Sequence, residues 1–215
     1  PADNQVLVVA DRQRFYTQAQ SSFEISIQRE RDGRPFGATR VHRGDVMLSS
    51  QVIGYLRRDE VTNEVWDSTA LDLPRRRLAT EAVWWSVPME TMARLGWSDL
   101  RVGAALHAME HAAIGLLPAF APCDRWDIGG VSTPIHPDTG LPTIFVHDAL
   151  AGGAGFARRG FDVVEAWLGA TLERLRRCGC DDGCPACVVS PKCGNANQVL
   201  DKADATALLA VLLDG

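Results

Sequence analysis

The sequence predicts an α+β fold: a β-rich N-terminal subdomain, then a mixed α/β body that ends in a helix-flanked thiol-rich lobe. Three observations predict it. Ser21 to Glu30 alternates with period two, placing Phe23, Ile25 and Ile27 on one face and Glu24, Ser26 and Gln28 on the other. Beyond Met89 the apolar residues recur at helical spacing. Five of the six cysteines fall between Cys178 and Cys193. The boundary is placed after residue 75, giving a β-rich subdomain over 1–75 and an α/β domain over 76–215.

In the first part, Val6 to Ala10 is a short apolar run, and Arg31 to Gly37 reads as a turn around an Asp-Gly pair. Val41 to Leu48 and Gln51 to Arg57 read as two further strands, and Glu64 to Asp67 as a weaker one. Seven arginines between Arg12 and Arg43 make this part locally basic, either as a solvated sheet face or as a surface for phosphates. Leu71 to Thr80 is a connector carrying Pro74 and three consecutive arginines, Arg75 to Arg77. The next strand holds Trp84 and Trp85, whose side chains must leave on opposite faces. One then enters the core and the other meets a second layer; stacking on a nucleic-acid base is the alternative.

Met89 to Leu95 predicts a short helix stopped by Gly96, and Ser98 caps the helix that follows, which runs to about Leu117. Its apolar stripe is Leu106, Met109, Ala113 and Leu116. Pro118 to Pro142 reads as a long loop with Gly129, Gly130 and several prolines. Thr143 to His147 is a short buried strand, and Asp162 with Glu165 predicts a capping-box start for a helix over 162–177. Asp201 caps a last helix, Lys202 to Leu213. Cys123, in the long loop, reads as a small buried apolar group.

The stretch CGCDDGCPACVVSPKC has the spacing C-x-C-x3-C-x2-C-x5-C. It has too few apolar residues to order itself by burial. Thiolates two residues apart grip one metal ion from one side, and a second pair closes the tetrahedron that zinc favours with sulfur. Such binding contributes about 10–16 kcal/mol in small zinc peptides. The expected cofactor is one structural zinc, held by four of Cys178, Cys180, Cys184, Cys187 and Cys193; Cys184 and Cys187 come first, and spacing does not choose the other two from Cys178, Cys180 and Cys193. A disulfide knot is the competing reading. Arg176, Arg177, Lys192 and Lys202 are candidates to offset the two net negative charges of a tetrathiolate.

Two other strings carry possible chemistry. His107, Glu110 and His111 form H-x-x-E-H on a predicted helix, the arrangement of inverted zinc peptidases. The bland reading is a polar cluster in which the histidines bond Glu110, Asp124, Asp127 or Asp148. A second, non-catalytic metal or a nucleic-acid contact is the third. Gly152, Gly153 and Gly155 follow a strand and precede a helix, a turn that can aim N–H groups at a phosphate. Gly153, Gly155, Arg158, Arg159, Arg75 and Arg76 are therefore the DNA-contact candidates, against the bland reading of a tight strand-to-helix turn. The chain contains no G-x4-G-K-[ST] nucleotide loop.

At 215 residues and 46% hydrophobic content the chain can build a globular core. Its formal net charge of −5 gives no overall attraction to nucleic acid, so DNA contact must rest on a local patch or on a larger protein. No apolar run reaches the ~18 residues of a membrane span, and no targeting segment is visible. The start at Pro1 reads as a piece of a longer protein.

Four strings agree with one family: LDLPRRRLATEAVWW, LHAMEHAAIGLLPAFAPCDRWDIGG, FVHDALAGGAGFARRGF and CGCDDGCPACVVSPKCGNANQVLDKADA. Together they resemble the C-terminal zinc-binding (DUF1998 / MZB) region of superfamily 2 DNA helicases of the MrfA / SftH type, over most of residues 45–213. The resemblance implies that such a region follows two RecA-like motor domains in the same polypeptide. Those motors hydrolyse ATP and move 3′ to 5′ along single-stranded DNA, with a role in bacterial DNA repair. It implies zinc ligands among the cysteines of 178–193, a single-stranded or forked DNA partner, no membrane, and a cytoplasmic, nucleoid-associated location. ATP belongs to the motor domains, so this chain alone is expected not to be an enzyme. The competing readings are a protein-docking module for the motor domains or repair partners, and a zinc hydrolase built on the H-x-x-E-H string.

Overall fold

A computed structural model of the protein describes residues 12–214; the run Val6 to Ala10 lies outside them. The described strands are β1 (Phe15–Phe36), β2 (Thr39–Asp59), β3 (Val65–Ala70), β4 (Arg76–Ser86), β5 (Ile128–Thr133) and β6 (Thr143–Asp148). The described helices are α1 (Met89–Leu95), α2 (Asp99–Leu116), α3 (Phe156–Asp162), α4 (Val164–Arg177) and α5 (Lys202–Leu213). The chain is α+β, and its contacts divide it into two compact units.

The smaller unit takes residues 12–22 and 50–75. Here β3 pairs antiparallel with β2, from Gly54 opposite Ala70 to Arg58 opposite Val65. Arg57 pairs with Asp67 across this ladder and lies over the Phe15 ring. The larger unit takes residues 23–49 and 76–214. Residues 23–49, grouped by sequence with the β-rich segment 1–75, thus make their contacts with the α/β body.

In the larger unit the strand order is β1-β2-β4-β6-β5, with β6 antiparallel to both β4 and β5. The central strand β4 settles the Trp pair. Trp85 enters the main core and meets the Trp167 ring edge-on, with centroids 5.8 Å apart. Trp84 leaves on the other face into a smaller cluster with Ile25, Val46, Leu48 and Phe145. Both indoles are buried, so neither offers a stacking platform for a base. β6 is buried along its whole length, as the apolar run TIFVH requires.

Helix α2 is buried nearly all round and packs on β5, α4 and α5, its alanines allowing close approach. Ser98 accepts from the Arg101 N–H at its start, and Gly96 ends α1 at φ 62°. The Asp201 carboxylate caps α5 through the Asp204 N–H at 2.8 Å.

Four local expectations give way to tertiary context. The segment Arg31 to Gly37 is not a turn: β1 runs through to Phe36, and the reversal falls at Gly37 and Ala38. Gly37 adopts φ 52°, and a Cβ there would lie 2.0 Å from the Leu212 carbonyl oxygen. The strands expected at Val41 to Leu48 and Gln51 to Arg57 form one continuous β2. The loop Pro118 to Pro142 contains β5: Gly129 and Gly130 sit in a ladder because a Cβ would strike His147 at the first and Ile114 and Glu110 at the second. Helix 162–177 is interrupted at Val163, and Asp162 ends α3 rather than capping α4. Glu165 instead pairs with Arg34.

Candidate metal centre

Helix α4 carries the chain to the thiol lobe. It buries Val164, Trp167, Leu168, Thr171, Leu172 and Leu175, and the Trp167 Nε1–H donates to the Ala113 carbonyl of α2 at 2.8 Å. Cys178 is the residue immediately after this anchored helix. A tight turn follows. The N–H groups of Cys187, Val188 and Val189 all point to the Cys184 carbonyl, and the Cys184 N–H points to the Cys187 sulfur at 3.3 Å. Gly183 stands at φ 120°, where a Cβ would be 2.4 Å from Val188 Cγ2.

This turn gathers Cys178, Cys180, Cys184 and Cys187, with all four sulfurs within 4.8 Å of one another. Four of the six edges measure 3.6 Å (178–180), 3.5 Å (178–184), 3.5 Å (180–187) and 3.8 Å (184–187). A regular tetrahedron with zinc–sulfur bonds of about 2.3 Å has edges of about 3.8 Å. A disulfide needs sulfurs about 2.05 Å apart, and all six cysteines are free thiols, so the knot reading does not hold. The donor set fits one structural zinc.

Cys187 and Cys180 differ in how readily they ionise. Burial pushes the Cys187 thiol up to about 12. Burial also works against Cys180, but hydrogen bonds from Cys187, Cys178, Cys184 and Lys202 draw its thiol down to about 7. Lys202 is buried; its Nζ donates to the carbonyls of Cys178 (2.7 Å) and Cys180 and lies 3.4 Å from the Cys180 sulfur. Arg174 donates to the Ala186 carbonyl at 2.7 Å. Of the four expected counter-charges, Lys202 takes the role. Arg177 pairs with Glu173, and Lys192 donates to the carbonyls of Trp126 and Ile128.

Cys193 stands outside this group, with His107 and His111 of α2. Its sulfur is 3.5 Å from His107 Nε2, and the two imidazole centroids are 4.4 Å apart. Burial opposes ionisation of Cys193, yet hydrogen bonds to His111 and to the N–H groups of Asn197 and Asn195 hold its thiol below the usual range. His111 Nδ1 is 2.7 Å from the Val188 carbonyl. No hydrogen bond joins either histidine to Glu110, Asp124, Asp127 or Asp148 among the described contacts, so the expected acid partners are replaced by sulfur and a carbonyl. Glu110 accepts from the Ser132 hydroxyl at 2.6 Å, and burial raises its carboxyl above the usual range. It faces β5 rather than an open site. Cys123 is half-buried against the main core.

The glycine turn has its own anion. Asp148, at the end of β6, accepts from the N–H groups of Ala154, Gly155 (2.7 Å) and Ala157 (2.8 Å). The Gly153 N–H donates to the Leu150 carbonyl at 3.0 Å. The donors that a phosphate would need at Gly153 and Gly155 are therefore taken within the chain. Arg158 and Arg159 are exposed on α3, and Arg159 Nε donates to the Phe120 carbonyl at 3.1 Å. Arg75 and Arg76 are exposed, the first in the smaller unit and the second in the larger. Sequence spacing had no signal for Asp148 as the turn's partner or for Arg174 as a brace of the lobe; both depend on tertiary placement.

The sequence model of the MrfA Zn-binding domain matches residues 109–188. An uncharacterized protein of Methanocaldococcus jannaschii is 39% identical over 113 residues, which cover 50% of this chain and 99% of that protein. The ATP-dependent helicase YprA of Bacillus subtilis is 28% identical over 81% of this chain and 23% of its own length. ATP-dependent helicase HRQ1 of Saccharomyces cerevisiae is 24% identical over 80% of this chain and 17% of its own. A crystal structure of the DUF1998 helicase MrfA bound to DNA superposes with a TM-score of 0.70 at 25% identity, over 93% of this chain and 26% of that one. The chain thus spans about a quarter or less of these helicases.

Proposed function

Because the chain belongs to the MrfA Zn-binding (MZB, DUF1998) family, we propose that it is the non-motor, C-terminal accessory domain of an ATP-dependent helicase. The observation that carries this reading is the tetrahedral group Cys178, Cys180, Cys184 and Cys187 within a fold shared with MrfA. The zinc they would hold supplies rigidity: it ties the residue after α4 to the turn through Cys184 and Cys187 and does no chemistry. The domain supports DNA binding and unwinding by a 3′–5′ motor acting in repair in the cytoplasm. Its partners are single-stranded or forked DNA and the motor domains of the same polypeptide.

Arg158, Arg159, Arg75 and Arg76 are the phosphate contacts of this reading, being exposed. Gly153 and Gly155 serve the Asp148 turn instead. The test is a titration of labelled single-stranded and forked oligonucleotides at several salt concentrations, beside an ATPase assay. Affinity that falls with salt, with no ATP turnover by the chain alone, is expected. ATP hydrolysis by the chain, or binding indifferent to salt, contradicts it.

A second reading, a docking module that touches no DNA, has one observation in its favour. Several arginines of the N-terminal part are spent internally: Arg31 on Asp45, Arg34 on Glu165, Arg43 on Asp32 and Glu81, and, further on, Arg57 on Asp67. Tight association with the motor fragment and no DNA binding at low salt would select it.

A further inference from the structure

We propose that His107, His111 and Cys193 hold a second divalent transition-metal ion of the zinc class, separate from the one that the four-cysteine group fits. The proposal stands on these residues and not on the helicase reading. Their three donor atoms cluster within 4.8 Å of one another, and the 3.5 Å between the Cys193 sulfur and His107 Nε2 matches the ~3.5 Å that separates a thiolate and an imidazole nitrogen on one tetrahedral zinc. Two imidazoles and one thiolate form a borderline-soft set, suited to zinc or cobalt rather than to calcium or magnesium.

The geometry is prepared. His107 and His111 are four residues apart on α2 and therefore share a face. A backbone carbonyl only accepts, so the 2.7 Å contact from Val188 O fixes the proton of His111 on Nδ1. With Nδ1 so occupied, Nε2 is the ring nitrogen left to bind a metal. This is the carbonyl–histidine–metal arrangement that orients ligating imidazoles in metal proteins. The orienting carbonyl belongs to Val188, the residue after Cys187, so the two sites share one turn of chain. The Cys193 thiol donates to Asn195 Oδ1 at 2.6 Å, a contact that holds the sulfur in place.

The second site also gives a reason for the shape of the lobe's far end. Ala196, Asn197 and Val199 all adopt positive φ of 57–60°, a conformation costly for residues other than glycine and most so for the β-branched Val199. Such a segment needs external ties. The Asn197 side chain supplies two, to the N–H and the carbonyl of Ser190. An ion joining Cys193 to α2 supplies another, as the first ion does at the end of α4.

The experiment uses the whole chain, loaded with excess zinc, freed of unbound metal by gel filtration, and counted by elemental analysis. Two ions per chain are expected, falling to one in Cys193→Ser and in His107→Gln. A cobalt titration reads the sites apart: the four-thiolate site gives intense charge-transfer absorption, and the second equivalent adds a weaker single-thiolate band that both variants lose. His107→Gln alters a half-exposed side chain, and circular dichroism checks that the fold survives. Cys193→His is expected to restore the second ion without its thiolate band. One ion per chain at saturation in the unsubstituted protein, or two ions retained in both loss variants, overturns the proposal. None of these readings depends on DNA binding.

Discussion

Lys202, in the first turn of α5, places its ammonium 3.4 Å from the sulfur of Cys180 while donating to the carbonyls of Cys178 and Cys180. A zinc tetrathiolate carries two net negative charges, and this buried cation offsets part of them. The same contact fastens the lobe to the last helix. Lys202→Met removes both effects and strands two carbonyl groups. The expected outcome is a 10–100-fold loss of zinc affinity, measured by competition with a chromogenic chelator. Lys202→Arg is expected to lose less, since the positive charge remains.

Acidification should empty the four-cysteine site in a graded way. Zinc displaces protons from its thiols, so affinity falls as pH falls. Between about 7 and 12 Cys187 contributes one displaced proton, and below about 7 Cys180 contributes another. Each costs about tenfold in affinity per pH unit. Zinc release followed by a fluorescent indicator should therefore steepen on passing below neutrality. A release curve without pH dependence would count against thiolate ligation.

How much of this was legible in the sequence depends on which interactions are local. The α1 stop at Gly96 and the caps Ser98 and Asp201 are short-range bonds, and all are found where spacing put them. Trp84 and Trp85 needed only the pleat to be sent to opposite faces. By contrast, β5 was hidden because its glycines are selected by what lies against them, Glu110 and His147, which are distant in sequence. The cysteines show the same division. Five were visible as a metal cluster, but the separation of Cys193 from the other four depends on where α2 brings His107 and His111.

The Asp148 carboxylate accepts three backbone N–H bonds at the start of α3, in a fully buried position. Asp148→Asn keeps the shape but presents a neutral oxygen to part of the set and an N–H to the rest. Charge-assisted bonds contribute about 1.5–3 kcal/mol each, so a loss of roughly 2–4 kcal/mol in unfolding free energy is expected by denaturant titration. Local hydrogen exchange at residues 152–157 should rise with it. Unchanged stability would show that the turn holds itself.

Glu110 decides between a hydrolytic and a structural role for the H-x-x-E-H string. Burial raises its carboxyl above the ordinary range, with the Ser132 hydroxyl at 2.6 Å working partly against that shift. A raised folded value means that the folded protein favours the protonated acid. The resulting stability is fully present below the unfolded value and is lost as pH rises through the folded one. Glu110→Gln mimics the protonated form and keeps an oxygen for Ser132. At neutral pH it is expected to leave stability unchanged or higher, and to flatten the decline between mildly acidic and neutral pH in thermal melts. If the string were hydrolytic, the same substitution would in addition abolish turnover of a peptide or ester substrate. Turnover assayed beside the melts, in both proteins under the same metal load, therefore separates the two roles: the pH profile tests the burial, and the presence or absence of hydrolysis tests the chemistry.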